Sequence, residues 1–152
     1  MSALPWTRER LVALLRDGVQ ESLTLEYKDS RALDRADSKK RDEIAKDVSA
    51  FANSDGGTLI YGVSEDADHF PRELTFVDAR VHSQEWLENM IGAVTPRLQG
   101  VVITSVVLGA PHEVAYVVEV PQSFTAHQHP RDRKYYKRLN FSAEPMFDFE
   151  IR

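Results

Sequence analysis

Apolar residues recur along this chain at two periods. Over residues 23–28 the period is two, with Leu23, Leu25 and Tyr27 on one side and Thr24, Glu26 and Lys28 on the other, which predicts a half-buried strand. From Asp37 to Asn53 the period lengthens to three and four, through Ile44, Ala45, Val48, Phe51 and Ala52 behind a charged first turn. That spacing predicts a core-facing helix. Thr7 is placed to cap an earlier helix carrying Leu11, Leu14 and Leu15, and Gly18 to end it. Ser83 is placed to cap a third with Trp86, Leu87, Met90, Ile91 and Val94 on its apolar side, closed by Pro96.

Asn53-Ser-Asp-Gly-Gly57 holds the residues of a tight turn, and the β-prone run Thr58 to Val63 follows it, so the chain leaves a helix and enters a strand there. Ser64 to Pro71 reads as a polar loop. Val101 to Leu108 and Val114 to Val120 read as a hairpin around Gly109-Ala-Pro-His-Glu113, and Arg133 to Arg138 as a last strand. The order α-β-α-β-α-β-β-β implies an α/β domain of α+β type, a mixed β-sheet with helices packed on it. One domain over residues 1–152 is expected.

Composition narrows the chemistry. With no cysteine among 152 residues, disulfides, thiolate metal sites and cysteine nucleophiles are excluded, so any metal must be held by carboxylate or imidazole. No segment approaches the run of about 20 apolar residues that a membrane-spanning helix needs. The N-terminus lacks the basic-then-apolar profile of a secretory signal, and a cytoplasmic location without membrane association is expected. A formal charge of -5 argues against general coating of polyanions. The run Arg131-Asp-Arg-Lys-Tyr-Tyr-Lys-Arg138 nevertheless concentrates five basic residues and two tyrosines against one acid. Arg133, Lys134, Tyr135, Lys137 and Arg138 are therefore candidates for phosphate contact and base stacking. The same pattern also suits an edge strand protected by charge.

Glu26 and Lys28 emerge side by side from the polar face of the first strand. A carboxylate there can hold a hard divalent ion, and an ammonium can stabilise charge developing on a phosphate. Glu21 lies at the strand entrance. Glu65, Asp66 and Asp68 follow the second strand and are candidates for a third acid. Without further context Glu-x-Lys on a strand is equally a solvated face with a weak ion pair. Asn53 to Gly57 is equally a plain turn or a cradle of backbone amides for phosphate, although no Gly-Lys-Ser or Gly-Lys-Thr follows it. His127 and His129 form a His-x-His pair that suits metal ligation less well than loop structure. There is no Gly-x-Ser-x-Gly elbow for a serine nucleophile.

Taken in order, Glu21-Ser-Leu-Thr-Leu-Glu26-Tyr-Lys28, Ala50-Phe-Ala-Asn-Ser-Asp-Gly-Gly57, Thr58-Leu-Ile-Tyr-Gly-Val63 and Lys134-Tyr-Tyr-Lys-Arg138 resemble the Schlafen AlbA domain over about residues 20–140. The family pattern is Glu-Ser-x-x-x-Glu-Phe-Lys, then Ala-Phe-Ala-Asn-Thr-x-Gly-Gly, then an apolar strand ending in Gly-Val-Asp-Asp, and a closing Tyr-Tyr-x-Arg. The resemblance implies a metal-dependent endoribonuclease centre using Mg²⁺ or Mn²⁺ on structured RNA such as tRNA. Its carboxylates would be Glu21, Glu26 and Glu65, with Asp66 as the alternative where Ser64-Glu65-Asp66 replaces Asp-Asp. Lys28 would stabilise the scissile phosphate. Because related proteins pair two such lobes around RNA, the resemblance also implies a homodimer. Two other functions stay open at this level: a non-catalytic nucleic-acid-binding or regulatory module, and an ATP- or nucleotide-binding domain using Gly56-Gly57.

Overall fold

The computed structural model describes residues 4–151. Thr7 accepts a hydrogen bond from the Arg10 amide and starts α1 (Arg8–Arg16), and Gly18 follows its end in the left-handed region. The first strand is shorter than its alternation suggests. Leu23 and Thr24 form a tight turn bridged by Ser22 and Leu25, leaving β1 as Leu25–Lys28. A 3-10 turn at Ser30–Ala32 leads to α2 (Ser38–Ala52), whose cap Asp37 accepts from the Lys39 and Lys40 amides.

β2 (Gly57–Tyr61) lies parallel to β1. Beyond Gly62 the expected loop is instead a hairpin of β3 (Val63–Glu65) and β4 (Pro71–Leu74). β5 (Val77–Asp78), α3 (Gln84–Ile91), β6 (Val102–Val107) and β7 (Glu113–Val120) follow. The third helix stops at Gly92, before Pro96. The predicted β6–β7 hairpin is present, and β7 pairs with β6 along one edge and with β2 and β5 along the other, all antiparallel. The result is a mixed five-stranded sheet of α+β type.

The predicted last strand is only β8 (Tyr136–Arg138). It pairs with β9 (Ala143–Pro145) in a separate ribbon beside α2, and the short α4 (Asp148–Ile151) follows. This part of the chain carries too little periodicity to be read in advance.

Strand alternation divides the core in two. Leu59, Tyr61, Val118 and Tyr116 face α2 and α3, where Phe51, Trp86 and Leu87 pack. Tyr27, Ile60, Ala115 and Val117 face the other way, against Leu11 of α1 and Val63. Since Tyr27 points to the α1 side, its neighbours Glu26 and Lys28 point to the α2 side.

The turn after α2 is a fastener. The Asn53 side chain donates to the His127 and Tyr136 carbonyls and accepts from the His127 amide, and the Ser54 hydroxyl accepts from the Arg138 amide. Gly57 is required because a Cβ would stand 2.5 Å from the Phe51 ring. Asn53→Ala therefore strands backbone groups of two segments at once. It should lower unfolding free energy by about 2 to 4 kcal/mol in a urea titration, at about 1 to 3 kcal/mol per orphaned group. A change under about 0.5 kcal/mol would contradict this role for Asn53.

Candidate metal and nucleic-acid site

The turn at Ser22 to Leu25 folds the chain back so that Glu21 lies beside β1. Its Oε2 accepts a 2.7 Å hydrogen bond from the Tyr27 amide, filling a donor of this edge strand. The Glu21 amide in turn donates to the His69 carbonyl. His69 sits in the left-handed region (φ 66°) at the tip of the β3–β4 hairpin, and its Nδ1 is 3.0 Å from Glu21 Oε1 and 3.5 Å from Glu65 Oε1. One ligand atom from each of Glu21, Glu65 and His69 lies within 4.8 Å of the others. Glu65 Oε2 is buried, and no donor among the described residues hydrogen-bonds to it. Phe141, from the β8–β9 turn, stacks on the imidazole with ring centres 4.3 Å apart.

Burial, then the hydrogen bond and charge of Glu65, push the Glu21 carboxyl up to about 8. Two carboxylates crowded together favour a shared proton or a shared cation. Oxygen and imidazole donors with an unused lone pair suit a divalent ion, and Glu21, Glu65 and His69 fit one.

On the α2 side a second set of charges is paired. Lys28 Nζ lies 3.6 Å from Glu26 Oε1 and 3.6 Å from Asp47 Oδ2, and Arg138 Nη1 lies 3.1 Å from Glu26 Oε2. Burial and then the charge of Glu26 raise Asp47 to about 7 against the opposing pull of Lys28. For Lys28, burial alone would lower the pKa, but Asp47 and Glu26 outweigh it and the ammonium is held well above its usual range. Glu26, Lys28 and Asp47 line a polar cleft of about 440 Å³ that Lys46, Lys134 and Phe141 also border. Phe141 thus forms part of the cleft wall and contacts the Glu21 cluster through His69.

Comparison with known proteins decides the family. The family model described as Schlafen, AlbA_2 matches residues 21–146. The chain belongs to the Schlafen AlbA family. That membership links it to nucleic-acid-related function. No curated protein matches the sequence. Among solved structures it is similar to the DIP2311 protein from Corynebacterium diphtheriae, at 15% identity and a TM-score of 0.57, covering 91% of this chain. The chain spans 30% of that protein's length, and the likeness concerns the fold alone.

Within this Schlafen AlbA fold the residues expected from sequence separate. Glu21 and Glu65 converge. Glu26 is outside their cluster, because Lys28 and Arg138 hold its carboxylate on the other side of β1. Asp66 is not a ligand in this arrangement either: it is exposed, and its carboxylate accepts from the Asp68 and Phe70 amides, shaping the turn that carries His69. His69 itself was not singled out in the sequence. Only its spacing of four from Glu65 hints at it, and hairpin formation is what makes that spacing meaningful.

The basic run divides in the same way. The Arg138 side chain is 1% exposed and turned inward over Phe51. Lys137 pairs with Glu150 at 2.6 Å, and Tyr135 is half-buried. Arg133 and Lys134 stay exposed. His127 and His129 are buried and structural, bonded to the Pro96 carbonyl and Ser123 hydroxyl and to the Asp42 carbonyl respectively. In the Asn53 to Gly57 turn the amides of Asn53, Ser54 and Gly56 bond within the helix end and are not free to cradle a nucleotide phosphate.

The raised Glu21 pKa makes stability depend on pH. Between about pH 4.5, where the unfolded glutamate ionises, and about pH 8, where the folded one does, the folded state holds the extra proton. This contribution is whole below the lower value and is lost as pH rises through the upper one. In metal-free buffer the urea midpoint should fall from pH 5 to pH 8, and Glu21→Gln should flatten that fall. Equal slopes for the two proteins would contradict the assignment.

Proposed function

We propose that this chain is a divalent-metal-dependent endoribonuclease acting on structured RNA such as tRNA, with Mg²⁺ or Mn²⁺ held by Glu21, Glu65 and His69. The observation that carries this reading is the convergence of the Glu21 and Glu65 carboxylates and the His69 imidazole, with a buried Glu65 oxygen that no donor among the described residues reaches. The ion would supply Lewis-acid polarisation of a phosphoryl oxygen. The chain's own groups do the rest. Glu21 and Glu65 provide the negative charge that holds the cation, and the Tyr27 amide fixes the Glu21 carboxylate in place. Lys28 offers its ammonium to the phosphate from the adjoining cleft, where Glu26 sets its direction. Exposed Arg133 and Lys134 hold the RNA backbone.

One observation favours a second reading, a non-catalytic nucleic-acid-binding module. Glu26 is neutralised by Arg138 rather than free to join the cluster. Binding would then be by Arg133 and Lys134 alone.

Incubation of total tRNA with Mn²⁺ or with chelator separates the two. The nuclease reading expects cleavage that stops in chelator. Glu21→Gln and Glu65→Gln should each lower it by more than about 100-fold, beyond what loss of an outer-shell partner costs. His69→Ala should weaken Mn²⁺ binding in calorimetry. Cleavage that persists in chelator or in Glu21→Gln would overturn it. RNA binding without cleavage, lost on Arg133→Glu with Lys134→Glu, would establish the binding module.

A further inference from the structure

Asp47 lies in the second half of α2 among Ile44, Val48 and Phe51, and is only 4% exposed. No sequence feature marked it. A carboxylate in a core-facing turn of a helix is costly, and an apolar side chain of similar size usually serves packing at least as well. The carboxyl at this position therefore serves something other than packing.

Among the described residues its ion pair is with Lys28, whose ammonium stands 3.6 Å from Asp47 on one side and 3.6 Å from Glu26 on the other. Glu26 is already paired with Arg138 at 3.1 Å. Asp47 is thus the acid that answers the Lys28 charge. Lys28 keeps 28% of its side chain exposed and lines the cleft with Lys134 and Phe141. A lysine stem has four rotatable bonds and no preferred direction of its own. Held between acids from a strand and a helix, it has one.

We propose that Asp47 is a positioning residue: it fixes the Lys28 ammonium at the wall of the cleft, aimed where the phosphate of a bound nucleic acid would lie. For its catalytic consequence this rests on the ribonuclease reading, but the clamp itself can be tested without cleavage. Cleft and clamp together imply that the substrate enters between α2 and the β8–β9 ribbon, with Lys28 meeting the phosphate group next to the Glu21 cluster.

The test is lysine acetylation with limiting reagent, read residue by residue by mass spectrometry. In the wild-type protein Lys28 should react at least tenfold more slowly than exposed Lys134, and in Asp47→Asn its rate should rise at least fivefold while that of Lys134 is unchanged. Equal rates for Lys28 and Lys134 in the wild type would overturn the proposal, with no variant needed. So would a Lys28 rate untouched by Asp47→Asn in a folded protein. In tRNA cleavage, Asp47→Asn should lower kcat at least tenfold with little change in KM, and should add nothing in a Lys28→Met background. Losses that multiply in the double variant would overturn the coupling. Slow Lys28 labelling released by Asp47→Asn, in a protein that cleaves no RNA, would support the clamp and defeat the nuclease reading alone.

Discussion

The buried guanidinium of Arg138 is the constraint around which the rest is arranged. It lies over the Phe51 ring at 4.7 Å, faces Glu26 at 3.1 Å, and donates to the Ser22 and Leu25 carbonyls. A buried cation without such partners would cost several kcal/mol, so the elements supplying them are held in one register. Those two carbonyls bracket the tight turn before β1, and that turn sets where Glu21 stands. Asn53 and Ser54, at the end of α2, grip the strand that carries Arg138. One charge thereby ties the helix end, the edge strand and the β8–β9 ribbon together.

The same pairing sorts the acids. Glu26 is answered by Arg138 and Lys28, and Asp47 by Lys28, so the α2 side is close to balanced. Among the described residues, Glu21 and Glu65 share a single imidazole, that of His69, and no Lys or Arg ion pair. Negative charge in excess is thus left at one point, the start of β1, where a divalent cation would relieve the crowding that now raises Glu21. The proposed cation site at that end of the sheet rests on what Arg138 has neutralised next to it.

Much of this was legible in the sequence, for identifiable reasons. The helices α1, α2 and α3 announce themselves through their period and caps, and β2, β6 and β7 through apolar runs between turn residues. The ordered combination of motifs pointed to the family, and Glu21 and Glu65 do meet. Glu26 could not be separated from them beforehand, because alternation gives the side of a strand but not the partner waiting there. Arg138 looked like a surface cation since a run of basic residues gives no sign of which one is turned inward. His69 and Asp47 were invisible for a related reason. Each gains its role from a contact across the fold, with Glu21 and Lys28 respectively, and neither has a local pattern to betray it. The β3–β4 hairpin was hidden by a polar turn whose structure depends on Asp66 bonding to the Asp68 and Phe70 amides.

The proposed cation site is formed by the unbalanced acids at the start of β1. Anomalous diffraction at the manganese edge, from crystals equilibrated with Mn²⁺, tests it most directly. A peak enclosed by Glu21, Glu65 and His69, with Glu26 still paired to Arg138, is the predicted result. A peak against Glu26 and Asp47 instead, or none at saturating Mn²⁺, would contradict it.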